Sequence, residues 1–81
     1  MTPLEVKNNL SQMQKCSTAL MLSLAKHNKA INALVIAIDS GNEDDFAASV
    51  SALGKSSGSV ADMLEAYCTS AAFFLRGEEY D

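Results

Sequence analysis

The segment Gly54-Lys55-Ser56 has the residue types that end a phosphate-binding loop. In such a loop the glycine-rich backbone and the lysine hold the phosphates, and the hydroxyl binds magnesium. The pattern also requires a strand before the loop and a glycine five residues before Gly54, where this chain has Ser49. Because the preceding residues have helical spacing, we interpret the segment as a packing or hinge feature and expect no nucleotide binding.

The single histidine and the two cysteines are the other candidates for chemistry. A metal site needs a cluster of ligands, and a catalytic thiol needs a base beside it. His27 lies roughly three helical turns from Cys16, and Cys68 is in the other half of the chain. We therefore predict that the protein is not an enzyme and binds neither a metal nor a cofactor. Both cysteines are expected to be free thiols that pack as small apolar residues.

Composition indicates one small helical domain. The chain has 81 residues, of which 48% are hydrophobic, with only one proline and four glycines to interrupt long elements. The net charge is −4, divided into +2 for residues 1–39 and −6 for residues 40–81. Because nucleic acids present a negative backbone, this balance argues against a nucleic-acid partner.

The most apolar segment, residues 19–38, is too polar to span a bilayer. Lys26, His27 and Lys29 interrupt it, so we expect no association with a membrane. Residues 1–7 do not have the pattern of a signal peptide. We expect an intracellular, cytoplasmic protein.

A first helix is predicted at about residues 3–39. Thr2 can cap it, Pro3 suits its first position, and Glu5 completes a capping box. A stripe of mostly apolar residues then recurs in alternating steps of four and three, which is the heptad period. Its members are Val6, Leu10, Met13, Ser17, Leu20, Leu24, His27, Ile31, Leu34 and Ile38.

A second helix is predicted at about residues 43–76, after a turn at 40–42. Gly41 suits the end of the first helix and Asn42 the cap of the second. Gly77 and the acidic residues after it predict a tail at 77–81. The whole chain, 1–81, is then one domain. The second stripe of the prediction comprises Phe46, Val50, Leu53, Ser57, Val60, Leu64, Tyr67, Ala71 and Phe74.

Two heptad helices joined by a short turn predict an antiparallel hairpin. Pairing Ile38 with Phe46 across the turn places His27 level with Ser57, and Ser17 level with the Tyr67 ring. A buried polar side chain is costly unless it is hydrogen-bonded, so this coincidence supports the pairing. Gly58 is expected to make room for the His27 ring, which makes this layer a candidate ligand contact.

A three-helix bundle is the alternative fold. Residues 54–59 are glycines, serines and one lysine, which favour helix formation poorly, and Ser59 to Asp62 resembles a second capping box. Helices near 3–39, 43–54 and 60–76 would result. We favour the continuous helix because the heptad phase is unchanged across the segment.

Several large apolar residues lie outside the predicted stripes, and a hairpin alone cannot cover them. A second copy is the simplest cover, so we predict a homo-oligomer, with a dimer favoured and a four-helix bundle as its structure. A different protein is the other possible partner. These residues are Leu22, Val35, Ile36, Met63, Phe73 and Leu75.

The predicted function is therefore a non-enzymatic protein–protein interaction module, of the adaptor, co-chaperone or inhibitor type. It would self-associate or cover an apolar helical surface of a partner. The alternative is a small-molecule-binding or sequestering helical bundle, with its pocket near His27 and Ser57.

Overall fold

The chain folds as an antiparallel hairpin of two long helices. The structure, a computed structural model, describes the backbone of residues 2–80 and the side chains of residues 2–77. Helix α1 is Pro3–Ser40 and helix α2 is Glu43–Tyr80, with 38 residues each. The hairpin measures 58 × 15 × 13 Å, close to the roughly 57 Å expected for such a helix at 1.5 Å per residue. The predicted all-α hairpin is confirmed.

Helix α1 begins as its first residues predict. The Thr2 hydroxyl oxygen accepts a hydrogen bond from the Glu5 backbone N–H at 3.2 Å, and Pro3 occupies the first helical position. The Thr2 hydroxyl also donates to the Glu5 carboxylate at 3.2 Å. Two groups at the helix start are thereby satisfied, and a carboxylate lies at the positive end of the helix dipole.

The turn between the helices consists of Gly41 and Asn42. Gly41 has φ 71°, the left-handed conformation that glycine adopts without steric cost, and its N–H donates to the Ile38 carbonyl at 3.2 Å. The Asn42 side-chain oxygen accepts from the Asp45 N–H at 3.0 Å and so caps α2. A two-residue connection forces the helices to be antiparallel neighbours.

Helix α2 runs without interruption through residues 54–59, so the three-helix alternative is wrong. The Ser56 hydroxyl donates to the Leu53 carbonyl at 3.1 Å, which satisfies it within the helix. Gly54 and Gly58 keep negative φ values, as a helix requires. The helix also continues past residue 76, because Gly77 keeps a helical φ as well. The predicted tail is thus helical as far as Tyr80, and Asp81 lies outside the described residues.

The two helices meet along a seam of buried and half-buried side chains that repeats every three and four residues. Only four described residues are buried, namely Asn9, Cys16, Ala37 and Ser70. The seam comprises Val6, Asn9, Met13, Cys16, Leu20, Ser23, His27, Ala30, Leu34 and Ala37 of α1, with Ser49, Leu53, Ser56, Val60, Met63, Tyr67, Ser70, Phe74 and Gly77 of α2.

Half of each predicted stripe lies in this seam, and the other half was placed one residue too late. The structure puts Ser23 and Ala30 against α2, whereas the predicted Leu24 and Ile31 are 41% and 42% exposed. The physical reason is size, because small side chains let the two helix axes approach closely. The larger neighbours then remain outside the contact.

Candidate interaction surface

Hydrogen bonds across the seam fix the level of one helix against the other. His27 Nδ1 and Ser56 Oγ are 2.9 Å apart. The one hydroxyl proton of Ser56 is directed to the Leu53 carbonyl, so the Ser56 oxygen accepts and the imidazole Nδ1–H donates. His27 therefore spans the interface from the side of α1, and its ring is half-buried.

Three further polar contacts cross the seam on either side of His27. The hydroxyls of Ser23 and Ser59 are 3.1 Å apart, the Asn9 amide donates to the Ser70 carbonyl at 3.2 Å, and Cys16 Sγ lies 3.8 Å from Ser70 Oγ. These bonds specify which residues face each other, but they bury little apolar surface. The hairpin consequently has only a small apolar core of its own.

A second stripe of side chains runs beside the seam and is exposed along most of its length. It consists of the residues that immediately follow the seam residues, and only Lys7 among them is charged. We call it the second stripe. It comprises Lys7, Leu10, Gln14, Ser17, Met21, Leu24, Asn28, Ile31, Val35 and Ile38 of α1, with Val50, Gly54, Ser57, Ala61, Leu64, Cys68, Ala71 and Leu75 of α2.

Both helices contribute to the second stripe on the same side of the hairpin. The opposite side has a groove of about 620 Å³, lined from α1 by Gln12 and from α2 by Ala66 and Phe73. Each of these residues immediately precedes a seam residue. Since the preceding residues of both helices share that side, helical geometry places the following residues together on the other side. The second stripe is thus one continuous face.

The side opposite the second stripe has most of the charge. Seven of the residues that immediately precede seam residues are charged, and all seven are exposed. We call this the charged side, and its ionic groups are well placed for solvent. The seven residues are Glu5, Lys15, Lys26, Lys29, Lys55, Asp62 and Arg76.

The angle between the seam and the second stripe is the one that a four-helix bundle needs. A shift of one residue rotates about 100° around an α-helix. In a square bundle each helix touches two neighbours in directions about 90° apart. Each helix of this hairpin therefore has one face on its partner helix and an uncharged face turned toward a second neighbour.

The hairpin exposes more surface than a compact protein of its mass. Its accessible area is 5951 Å², whereas the scaling for folded monomers gives about 4,700 Å² for 8.6 kDa. The difference, about 1,250 Å², exceeds the roughly 800 Å² that each partner buries in an ordinary protein interface. The hairpin can accordingly cover a full interface.

The structure divides the predicted partner-contact residues among three places. Val35 and Leu75 are exposed and belong to the second stripe. The other exposed ones, Leu22, Ile36 and Phe73, lie on the charged side. Met63 is half-buried in the seam and is not available to a partner.

The predicted polar layer is also assembled differently. His27 lies in the seam as expected, but its hydrogen-bond partner is Ser56, whereas Ser57 and Gly58 are exposed. Nothing lies within 4 Å of the position where a Cβ on Gly58 would be, so this glycine makes no room for the imidazole. Ser17 and Tyr67 are both half-buried. The expected His27–Ser57–Gly58 pocket is therefore not formed by these side chains.

The two cysteines occupy different environments. Both are free, as predicted, but Cys16 is buried in the seam and Cys68 is exposed on the second stripe. The expectation that both thiols pack is correct for Cys16 alone. The physical reason is the phase of the seam, which places Cys68 one residue after Tyr67.

The buried Asn9 side chain lines the groove on the charged side, and its Oδ1 atom has no hydrogen-bond partner. This oxygen is covered by protein, so a ligand in the groove could not reach it without rearrangement. Among residues 2–77, no three histidine, cysteine or acidic side chains are grouped to hold a metal ion. Neither helix, over its described residues, combines the length and hydropathy of a membrane span.

The chain matches no protein-family model, and comparison with curated proteins and with solved structures gives no significant match. The argument for function consequently depends on the hairpin itself.

Proposed function

We propose that this protein is a non-enzymatic protein–protein interaction module that buries its second stripe against helices of another polypeptide, which is either a further copy or a different protein. The observation that supports this proposal is the absence of charge along that face from Leu10 to Leu75, beside a charged side that carries seven ionic groups. Adaptors, co-chaperones and small inhibitors act through such helix-on-helix burial.

The energetic argument concerns the size of the exposed apolar side chains. Leu10, Met21, Leu24, Ile31 and Leu64 are all between 41% and 68% exposed. Burying apolar surface stabilises by about 25 cal/mol per Å². Contiguous apolar patches of this extent are uncommon on soluble monomers and usually mark interaction sites.

Two unpaired cysteines suit a reducing compartment, and we propose the cytoplasm as the location on this ground.

A matched pair of isoleucines in α1 provides the test. Ile31 belongs to the second stripe and is 42% exposed, whereas Ile36 lies on the charged side and is 60% exposed. Ile31→Glu places a carboxylate where the partner helix would bury it, which is costly without a counter-charge. Ile36→Glu makes the same chemical change facing solvent.

The assay is native mass spectrometry of gently purified wild type and both variants. Any polypeptide bound to the wild type, identical or different, should be lost from Ile31→Glu and retained by Ile36→Glu, with equal helical circular dichroism. Loss from Ile36→Glu alone, or a wild type that is a stable 8.6 kDa monomer with no bound polypeptide, would contradict the proposal.

A further inference from the structure

We infer that the polypeptide on the second stripe is a second copy of this chain, related by a twofold axis along the hairpin so that both turns lie at the same end. This inference depends on the proposed function and specifies the partner and its orientation. In this arrangement α1 of each copy packs on α2 of the other. Four helices then surround one core.

An identical copy is compatible with this face because the face has almost no charge. In a twofold dimer the same surface patch is buried on both copies, so like charges within it would repel. Lys7, at the open end, is the only charged member of the second stripe. The area that the hairpin exposes beyond the scaling for a compact monomer, about 1,250 Å², suffices for the roughly 800 Å² per copy that a stable interface buries.

Side-chain size determines the orientation. The part of the second stripe on α1 consists mainly of large apolar residues, including Leu10, Met21 and Leu24. The part on α2 is mainly small, with Gly54 and Ala61 near its middle. Large residues of one helix fit against small residues of the next when layers interdigitate at normal packing density. Stacking α1 on the partner's α2 brings the two kinds together.

The levels within one hairpin allow the layers to be assigned. His27 pairs with Ser56 and Ser23 with Ser59, so residues at one level have numbers adding to 83 or 82. With both turns at the same end, the partner follows the same rule. The layers are then Leu24 with the partner's Ser57, Met21 with the partner's Ala61, Asn28 with the partner's Gly54, and Gln14 with the partner's Cys68.

The opposite orientation, with the turns at opposite ends, packs less evenly. It stacks α1 on α1, so Met21 meets the partner's Met21 and Leu10 lies near the partner's Ile31. It also stacks α2 on α2, where Ala61 meets the partner's Ala61. One pair of helices would be forced apart while the other closed up, although interaxial distances in bundles are 8–10 Å throughout.

The exposed thiol of Cys68 tests this arrangement in the full-length chain. Gln14→Cys adds a second thiol at the level of the partner's Cys68 when the turns are at the same end. Gly54→Cys adds one at the level of the partner's Cys68 when the turns are at opposite ends. Within one hairpin, positions 14 and 68 lie on the outer flanks of different helices, beyond the Cα separation of about 7 Å that a disulfide spans.

The proteins are oxidised mildly, and the masses are compared on non-reducing gels and by mass spectrometry. The inference predicts a covalent dimer for Gln14→Cys, at twice 8.6 kDa, and a mainly uncrosslinked chain for wild type and Gly54→Cys. Cross-linking of Gly54→Cys instead would overturn the orientation. A monomeric mass in solution by light scattering, with no cross-link in either variant, would overturn the second copy. The proposed function would nevertheless survive if a different protein were lost from Ile31→Glu.

Discussion

Replacing Leu24 by alanine should weaken the association of the hairpin far more than it disturbs the fold. Leu24 is 41% exposed in the isolated hairpin. Complete burial of a leucine contributes about 1.5–3 kcal/mol, so the exposed part represents about 0.6–1.2 kcal/mol per copy. A dimer contains two such contacts, and the loss of about 1.2–2.5 kcal/mol corresponds to a rise in Kd of roughly ten- to seventy-fold.

Leu22 supplies the control for this variant. It is the same residue type, two positions earlier in the same helix, and it is 63% exposed on the charged side. Leu22→Ala should therefore leave Kd within about twofold of the wild type, because no partner covers this side chain. Sedimentation velocity over a dilution series gives Kd for all three proteins. Circular dichroism at one fixed concentration checks that their helix content is equal.

The comparison decides which side of the hairpin binds. If Leu22→Ala raised Kd as much as Leu24→Ala, the interface would include the charged side and the assignment of the second stripe would be refuted. A value unchanged in both variants would refute it as well. The larger exposed fraction of Leu22 makes this a strict test, because exposure alone would predict the reverse order.

Two further predictions concern the fold, and chemical denaturation at fixed protein concentration measures both. Gly58→Ala should stabilise by about 1 kcal/mol through helix propensity, since its Cβ would meet nothing, whereas Gly41→Ala should destabilise by about 1–2 kcal/mol because of the left-handed φ of 71°; equal effects would contradict this. Ser56→Ala should be less stable than Ser57→Ala by about 0.5–1.5 kcal/mol, since only Ser56 bonds His27 and both changes alter helix propensity equally; indistinguishable stabilities would mean that this bond contributes nothing.

The ends of the elements were predictable from the sequence because single residues determine them. Thr2 and Asn42 cap the two helices through side-chain oxygens, and Gly41 takes the one left-handed conformation. These are local interactions, so the neighbouring residues contain the whole signal. The end of α2 was missed because Gly77 was expected to stop a helix, although glycine also tolerates helical φ values.

The face of each helix in the seam was only half predictable, and this error displaced the candidate site. The prediction selected the most apolar stripe, which put Leu24 and Ile31 inside. The regular run of small residues at positions 9, 16, 23, 30 and 37 was the signal for the true seam. A single-chain pattern does not rank two neighbouring stripes, because a bundle helix has two buried faces and either one satisfies the heptad period.

The polar character of the seam and the apolar character of the second stripe together explain how one short chain can specify a bundle. Hydrogen bonds such as that of His27 with Ser56 penalise a slipped pairing, since a shift would leave buried polar groups without partners. They contribute modest net stability, because each replaces a bond to water. The large side chains contribute more free energy per residue, but they do so only when a second surface covers them. The hairpin thus obtains its pairing from the seam and must obtain much of its stability from association, which couples folding to binding.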